Sequence, residues 1–214
     1  MKKIIFGALL VLMMFAFVGC DTEEEIENLQ TPVIGTVKAL SADTVKLSWG
    51  PQDGNEDVDY YWIKYGKEND INEAEGGEPS YETEATISYL DSASTYYFCV
   101  QAVGYSQRSE FSSSKSCKTW METPSIWVTK KTTTSVTLGF SLVDGATRYG
   151  IYCGFSNDFS ESNHLTSYRV KETDDYSVEI EVTGLNKGKK YYFFVSPFDE
   201  GTGRSTPAVC SISM

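Results

Sequence analysis

The sequence predicts an all-β protein of two tandem β-sandwiches behind an N-terminal targeting segment. Three observations carry this. The chain repeats itself imperfectly at a spacing of 88 to 95 residues. Within each copy, apolar and polar residues alternate with period two, the pattern of a strand with one buried face. After the first twenty residues no stretch sustains a helical period, and the composition is rich in aromatic residues (14%) and glycine (17 residues), favouring strands and turns.

The N-terminal element comes first. Met1-Lys2-Lys3 precedes an unbroken apolar run from Ile4 to Val18, closed by Gly19-Cys20. Two cations, an apolar run and a small residue form the pattern of a secretory signal. The run is shorter than the ~20 residues that cross a bilayer. Phe17-Val18-Gly19-Cys20 resembles the lipobox of bacterial lipoproteins. That resemblance implies a signal peptide over residues 1–19, cleavage before Cys20 and acylation of Cys20, with the membrane as partner through the lipid. Residues 20–30 read as an acidic, lipid-anchored tether. Its cluster Asp21-Thr22-Glu23-Glu24-Glu25 is similar to the acidic export signal of surface lipoproteins in Bacteroidota-type envelopes. The implied location is the outer membrane, exposed at the cell surface.

Losing residues 1–19 removes two lysines and no acid, leaving 16 basic against 30 acidic residues and a net charge of −14. Such a chain repels phosphate backbones, so nucleic acid is excluded as an expected partner.

The first copy spans residues 31–119 and the second 123–214, joined by a linker from Lys118 to Glu122. Thr31-Pro32-Val33-Ile34 recurs as Thr123-Pro124-Ser125-Ile126, and Thr44 to Trp49 as Ser135 to Phe140. Tyr61-Trp62-Ile63-Lys64-Tyr65-Gly66 recurs as Tyr149 to Gly154, and Asn69-Asp70-Ile71 as Asn157-Asp158-Phe159. Val45, Leu47 and Trp49 share one face of a strand; Tyr61, Ile63 and Tyr65 share one face of another. A long strand in each copy places Tyr96, Phe98, Val100 and Ala102, then Tyr191, Phe193 and Val195, toward a core. Gly50-Pro51, Asp53-Gly54, Gly76-Gly77, Gly184, Gly188 and Gly201 separate the runs. The short linker implies that the copies touch.

These residues resemble fibronectin type III domains. Leu90 followed by Tyr96, and Leu185 followed by Tyr191, match that family's corner into its long strand. Trp49-Gly50-Pro51 with Asp53-Gly54-Asn55, the leading Thr-Pro pairs and Tyr-x-Ile-x-Tyr also match. The resemblance implies two tandem immunoglobulin-like sandwiches. It also implies corner hydroxyls on Tyr96 and Tyr191 bonded to nearby backbone, and Trp49 and Phe140 buried at equivalent places. The second copy departs from the pattern with Phe140 for tryptophan and Cys153 for tyrosine.

Little in the chain points to catalysis. The single histidine, His164, sits in a polar stretch and reads as a solvated loop residue. Asp53, Asn55, Asp57 and Asp59 alternate like the start of a calcium loop. Gly54 and Lys64 fall where that loop needs other residues, so a structural turn is expected and no metal site. No cofactor is implied. Cys99 and Cys117 lie on neighbouring strands of the family pattern. A hairpin centred near Arg108 would set them opposite each other as a cross-strand disulfide. Cys153 and Cys210 map to strands that flank the long strand and read as free thiols.

Aromatic residues pointing away from the cores are the binding candidates. Alternation turns Trp62 and Tyr97 outward in the first copy, and Tyr152, Tyr192 and Phe194 outward in the second. Tyr105 and Phe111 near a turn, and Trp120 in the linker, join them. Such faces stack on sugar rings or fill protein interfaces; equally, they pair across strands to stabilise a sheet. The expected function is non-catalytic: binding or presenting a glycan or surface protein at the cell surface. The alternative is a structural or accessory subunit of an outer-membrane uptake complex or surface fibre.

Overall fold

The computed structural model describes residues 29–50, 57–171, 176–199 and 205–214. The signal segment 1–19, Cys20, the acidic cluster 21–25 and Asp53-Gly54-Asn55 lie outside them. The first copy contributes β1 (Val33–Ala39), β2 (Val45–Gly50), β3 (Tyr60–Gly66), β4 (Gly76–Ser80), β5 (Glu84–Ile87), β6 (Thr95–Val103) and β7 (Lys115–Lys118). The second contributes β8 (Ile126–Lys131), β9 (Val136–Ser141), β10 (Arg148–Gly154), β11 (Asn163–Arg169), β12 (Ser177–Val182), β13 (Lys190–Phe198) and β14 (Ala208–Ser213). A single 3-10 turn follows the third strand of each copy, at Ile71–Glu73 and Phe159–Glu161.

The sheets repeat the same order. Sheet β1-β2-β5 faces sheet β4-β3-β6-β7, and sheet β8-β9-β12 faces sheet β11-β10-β13-β14. Neighbouring strands are antiparallel throughout. The inward residues are those the alternation picks out. Val45, Leu47, Trp49, Ile63, Phe98 and Val100 fill the first core; Val136, Leu138, Phe140, Ile151, Phe193 and Val195 fill the second.

Trp49 and Phe140 hold equivalent positions. Trp49 pairs with Ile34 and meets the Tyr61 ring at 5.4 Å; Phe140 pairs with Ile126 and meets Tyr149 at 5.1 Å. Both corner tyrosines make the expected bond. The Asp91 N–H donates to the Tyr96 hydroxyl and the Asn186 N–H to the Tyr191 hydroxyl, each at 3.0 Å and each five residues upstream. Each bond satisfies a backbone donor that the turn leaves without a strand partner.

Leu29, read as tether, belongs to the first core. A side chain placed on Gly104 would meet its Cδ1 at 3.3 Å and the Asp57 carbonyl at 2.4 Å. The N-terminal end of the described residues therefore docks at the end of the sandwich carrying the Val103–Arg108 turn.

At the other end the copies touch. Lys118 Nζ lies 2.7 Å from the largely buried Asp199 carboxylate, and Ser205 Oγ donates to the Glu122 carbonyl at 3.0 Å. Thr119 and Met121 are buried. Gly145, with φ of +77°, comes so close that an added Cβ would stand 2.7 Å from Ala93 Cβ. Only glycine suits that backbone and that gap. Trp120 packs against the first core, its N–H donating to the Ser41 carbonyl and its carbonyl accepting from Ala93.

Two expectations need correction. The cross-strand disulfide does not form, because Cys117 pairs with Tyr96 and not with Cys99. Val103 bridges Arg108, so the hairpin turns at Tyr105-Ser106 and not near Arg108. In the β6–β7 register Cys117 thus stands opposite a residue three away from Cys99, an odd number, which sends the two cysteines to opposite faces. Cys117 packs on the first core and Cys99 faces away from it. His164, read as a loop residue, lies on β11, with Nε2 2.9 Å from Ser167 Oγ and its ring 5.2 Å from Tyr152.

Candidate functional site

A cleft of about 280 Å³ opens on the outer face of the β4-β3-β6-β7 sheet. Its lining includes the buried Cys99 of β6 as floor, Tyr97 and Phe111, and the polar Lys64, Glu68, Asn69 and Asp70. This is slightly below the ~300–1,000 Å³ typical of sites for drug-sized ligands.

Local chemistry builds each wall. Phe111 precedes β7, where the chain runs beside β6 without a regular ladder. The Val100 N–H donates to Ser112 Oγ at 3.0 Å and the Ala102 N–H to Ser109 Oγ at 2.9 Å. Two serine hydroxyls thus stand in for strand carbonyls, and the two serines are buried. That irregular path lets Phe111 reach the outer face, where the Lys64 ammonium sits 5.4 Å from its ring centre. This is cation–π range.

The opposite wall is the 3-10 turn Ile71–Glu73. Asp70 caps it by accepting from the Asn72 N–H at 2.9 Å, and Ser114 Oγ bonds to Asn69 Oδ1. Gly66 admits the turn, since a Cβ there would meet the Glu73 carbonyl at 3.1 Å and the Glu75 nitrogen at 3.0 Å. On the floor the Cys99 thiol donates to the Lys64 carbonyl at 3.7 Å, and burial pushes its pKa up. It is a protonated, unreactive surface at neutral pH. Burial, then the charge of Glu78, raises the Tyr65 hydroxyl as well.

The same place in the second sandwich is closed. Lys64 pairs with Cys99 as Tyr152 pairs with Phe194. Ile71 in the first turn corresponds to Phe159 in the second. Phe159 lies 4.9 Å from the Tyr152 ring and 5.5 Å from Phe194, which is only 3% exposed. Phe194, expected on an exposed aromatic face, is therefore buried: the 3-10 turn lays Phe159 over it. Three bulky rings fill what Lys64, Ile71 and Cys99 leave open.

The other outward aromatics scatter. Trp62 lies on the same sheet face but packs over β4, its ring 3.1 Å from where a Gly77 side chain would begin. Tyr105 is 98% exposed on the turn at the far end. Tyr192 is half-buried beneath the Lys190 ammonium, 4.8 Å from its ring centre. Sequence reasoning found Tyr97 and Phe111 but missed Cys99, Ser109 and Ser112, whose parts come from small size and from hydroxyls replacing a ladder. Among the described residues, no three or more His, Cys, Asp and Glu side chains are grouped to hold a metal ion.

Comparison with known proteins follows the same lines. Residues 31–115 match the family model for the Fibronectin type III domain. A two-fibronectin type III domain segment from chicken tenascin aligns with a TM-score of 0.51 at 15% identity, covering 86% of this chain and 100% of that one. At that identity the likeness is one of fold. A search of curated proteins found no match.

Proposed function

Starting from two tandem fibronectin type III-like sandwiches, we propose that this chain is a non-catalytic, lipid-anchored protein of the outer cell surface that binds a glycan or protein partner through its first sandwich. The observation that carries the reading is the cleft of Tyr97, Phe111 and Cys99, open in one copy and packed shut in the other. Two copies with the same strand order and matching corners differ at the place where a ligand would sit. The second copy, with its plug of Tyr152, Phe159 and Phe194, serves as a packed partner domain. The lipobox-like Phe17-Val18-Gly19-Cys20 and the acidic cluster behind it support the address. Leu29 docks the tether side of the first sandwich at the end opposite its junction with the second.

Photo-crosslinking on intact cells tests both halves of the proposal. A benzoylphenylalanine at position 111 should capture a ligand from outside the cell, and one at the exposed Phe155 of the second sandwich should not. Cys20→Ala should lose incorporation of a fatty-acid probe. Equal lipid labelling of Cys20→Ala and parent would remove the anchor. No capture from position 111 would leave a structural or accessory subunit as the better reading.

A further inference from the structure

We infer that the ligand of the first-sandwich cleft is a neutral saccharide, seated against Tyr97 and Phe111. This deepens the binding reading above and rests on it.

The rim sets the chemistry. The Lys64 ammonium only donates hydrogen bonds, the Glu68 and Asp70 carboxylates only accept them, and the Asn69 amide can do both. A ligand that satisfies such a rim needs groups that donate and accept at once, and hydroxyls do. An anion would meet the Glu68 and Asp70 carboxylates of the lining on a chain of net charge −12. A cation would meet the like charge of the Lys64 ammonium, 5.4 Å from the Phe111 ring centre. A wholly apolar ligand would strip water from Glu68, Asp70 and Lys64 without replacing it. Aromatic walls above a small, uncharged floor suit the apolar face of a sugar ring.

A protein partner fits less well. Specific protein interfaces need an apolar centre within roughly 800 Å² per partner. The exposed large apolar residues of the first sandwich, such as Tyr81, Tyr89 and Tyr105, do not line the cleft. The apolar surface here is a concavity of about 280 Å³ whose lining mixes Tyr97 and Phe111 with the polar Lys64, Glu68, Asn69 and Asp70.

The test is calorimetric titration of the full chain, held in a detergent without a sugar headgroup. The ligands are neutral hexose and N-acetylhexosamine tetrasaccharides, with uronic acid tetrasaccharides as charged counterparts. At least one neutral tetrasaccharide should bind. Phe111→Ala should weaken it about tenfold or more, the scale of a central aromatic contact. Cys99→Phe, which copies the second sandwich, should abolish it, and Tyr192→Ala should leave it unchanged. An unaltered unfolding midpoint in Cys99→Phe shows that the loss is local; if that variant misfolds, Phe111→Ala decides. The inference is overturned if no neutral tetrasaccharide binds, if uronic acid chains bind better, or if Cys99→Phe leaves binding intact. A protein captured from position 111 without saccharide binding would overturn the saccharide and spare the binding module. Failure of both would remove both.

Discussion

Trp49 gives the sharpest energetic prediction. It is 4% exposed, its ring meets Tyr61 at 66°, and its indole Nε1 is buried with no hydrogen-bond partner among the described residues. The equivalent residue in the second copy is Phe140, which fills its place with no polar atom. Trp49→Phe removes one or two methylene equivalents of packing, a loss of ~0.8–1.6 kcal/mol. It also removes an unsatisfied buried donor, a gain of ~1–3 kcal/mol. The two oppose each other, so the net change should run from a loss of ~0.6 to a gain of ~2.2 kcal/mol. Trp49→Ala keeps only the second effect and opens a cavity, costing ~3–5 kcal/mol. With a urea slope of ~1–3 kcal/mol per molar, Trp49→Ala should lower the first sandwich's midpoint by at least ~1 M and Trp49→Phe by well under that. Equilibrium urea unfolding followed by near-UV circular dichroism reads both. If Trp49→Phe falls as far as Trp49→Ala, the indole N–H has a partner and the equivalence with Phe140 is wrong.

Other outcomes follow from single contacts. Tyr96→Phe and Tyr191→Phe should each cost ~1–3 kcal/mol, because the Asp91 and Asn186 N–H groups lose their acceptor, and thermal unfolding would show an unchanged midpoint if those bonds were idle. A soluble fragment beginning after Cys20, denatured and unreduced, should titrate four thiols at Cys99, Cys117, Cys153 and Cys210; a count of two would mean a disulfide and a different register. Cys153 and Cys210 both flank Phe193, two strand spacings apart at ~10 Å, beyond the ~7 Å reach of a bridge. Burial pushes the Cys153 thiol from 9.0 up to about 11, so folding favours its protonated form. That stabilisation is present below pH 9 and lost as pH rises toward 11. Cys153→Ser should flatten the decline in the second sandwich over that window, and an identical slope would assign it elsewhere.

The strand order and both corners were legible because they rest on period-two alternation and on Leu and Tyr at fixed spacing. The disulfide was misread because facing residues depend on where a hairpin turns, and alternation alone does not mark that point. The Val103–Arg108 bridge centres the turn at Tyr105-Ser106 and the serine hydroxyls of Ser109 and Ser112 follow it, so Cys117 ends opposite Tyr96, three residues from Cys99. Tyr97 and Phe111 were visible as outward aromatics, but so were Tyr152 and Phe194, which close on each other. What separates the copies is the third dimension of the 3-10 turn, which carries Ile71 to one rim and Phe159 over the other. One signal was in the repeat itself: at an offset of 95, Cys99 aligns with Phe194, a small residue against a large one.

The most direct measurement is amide chemical-shift mapping of the full chain with phenol, a small ring that enters any open aromatic cleft whatever the natural ligand. Shifts should gather at Lys64 to Ile71, Tyr97 to Cys99 and Phe111 to Ser114, and vanish in Cys99→Phe. Shifts centred on Tyr152, Phe159 and Phe194, or shifts at the first-sandwich cleft that persist in Cys99→Phe, would contradict a site opened by Cys99 in the first sandwich alone.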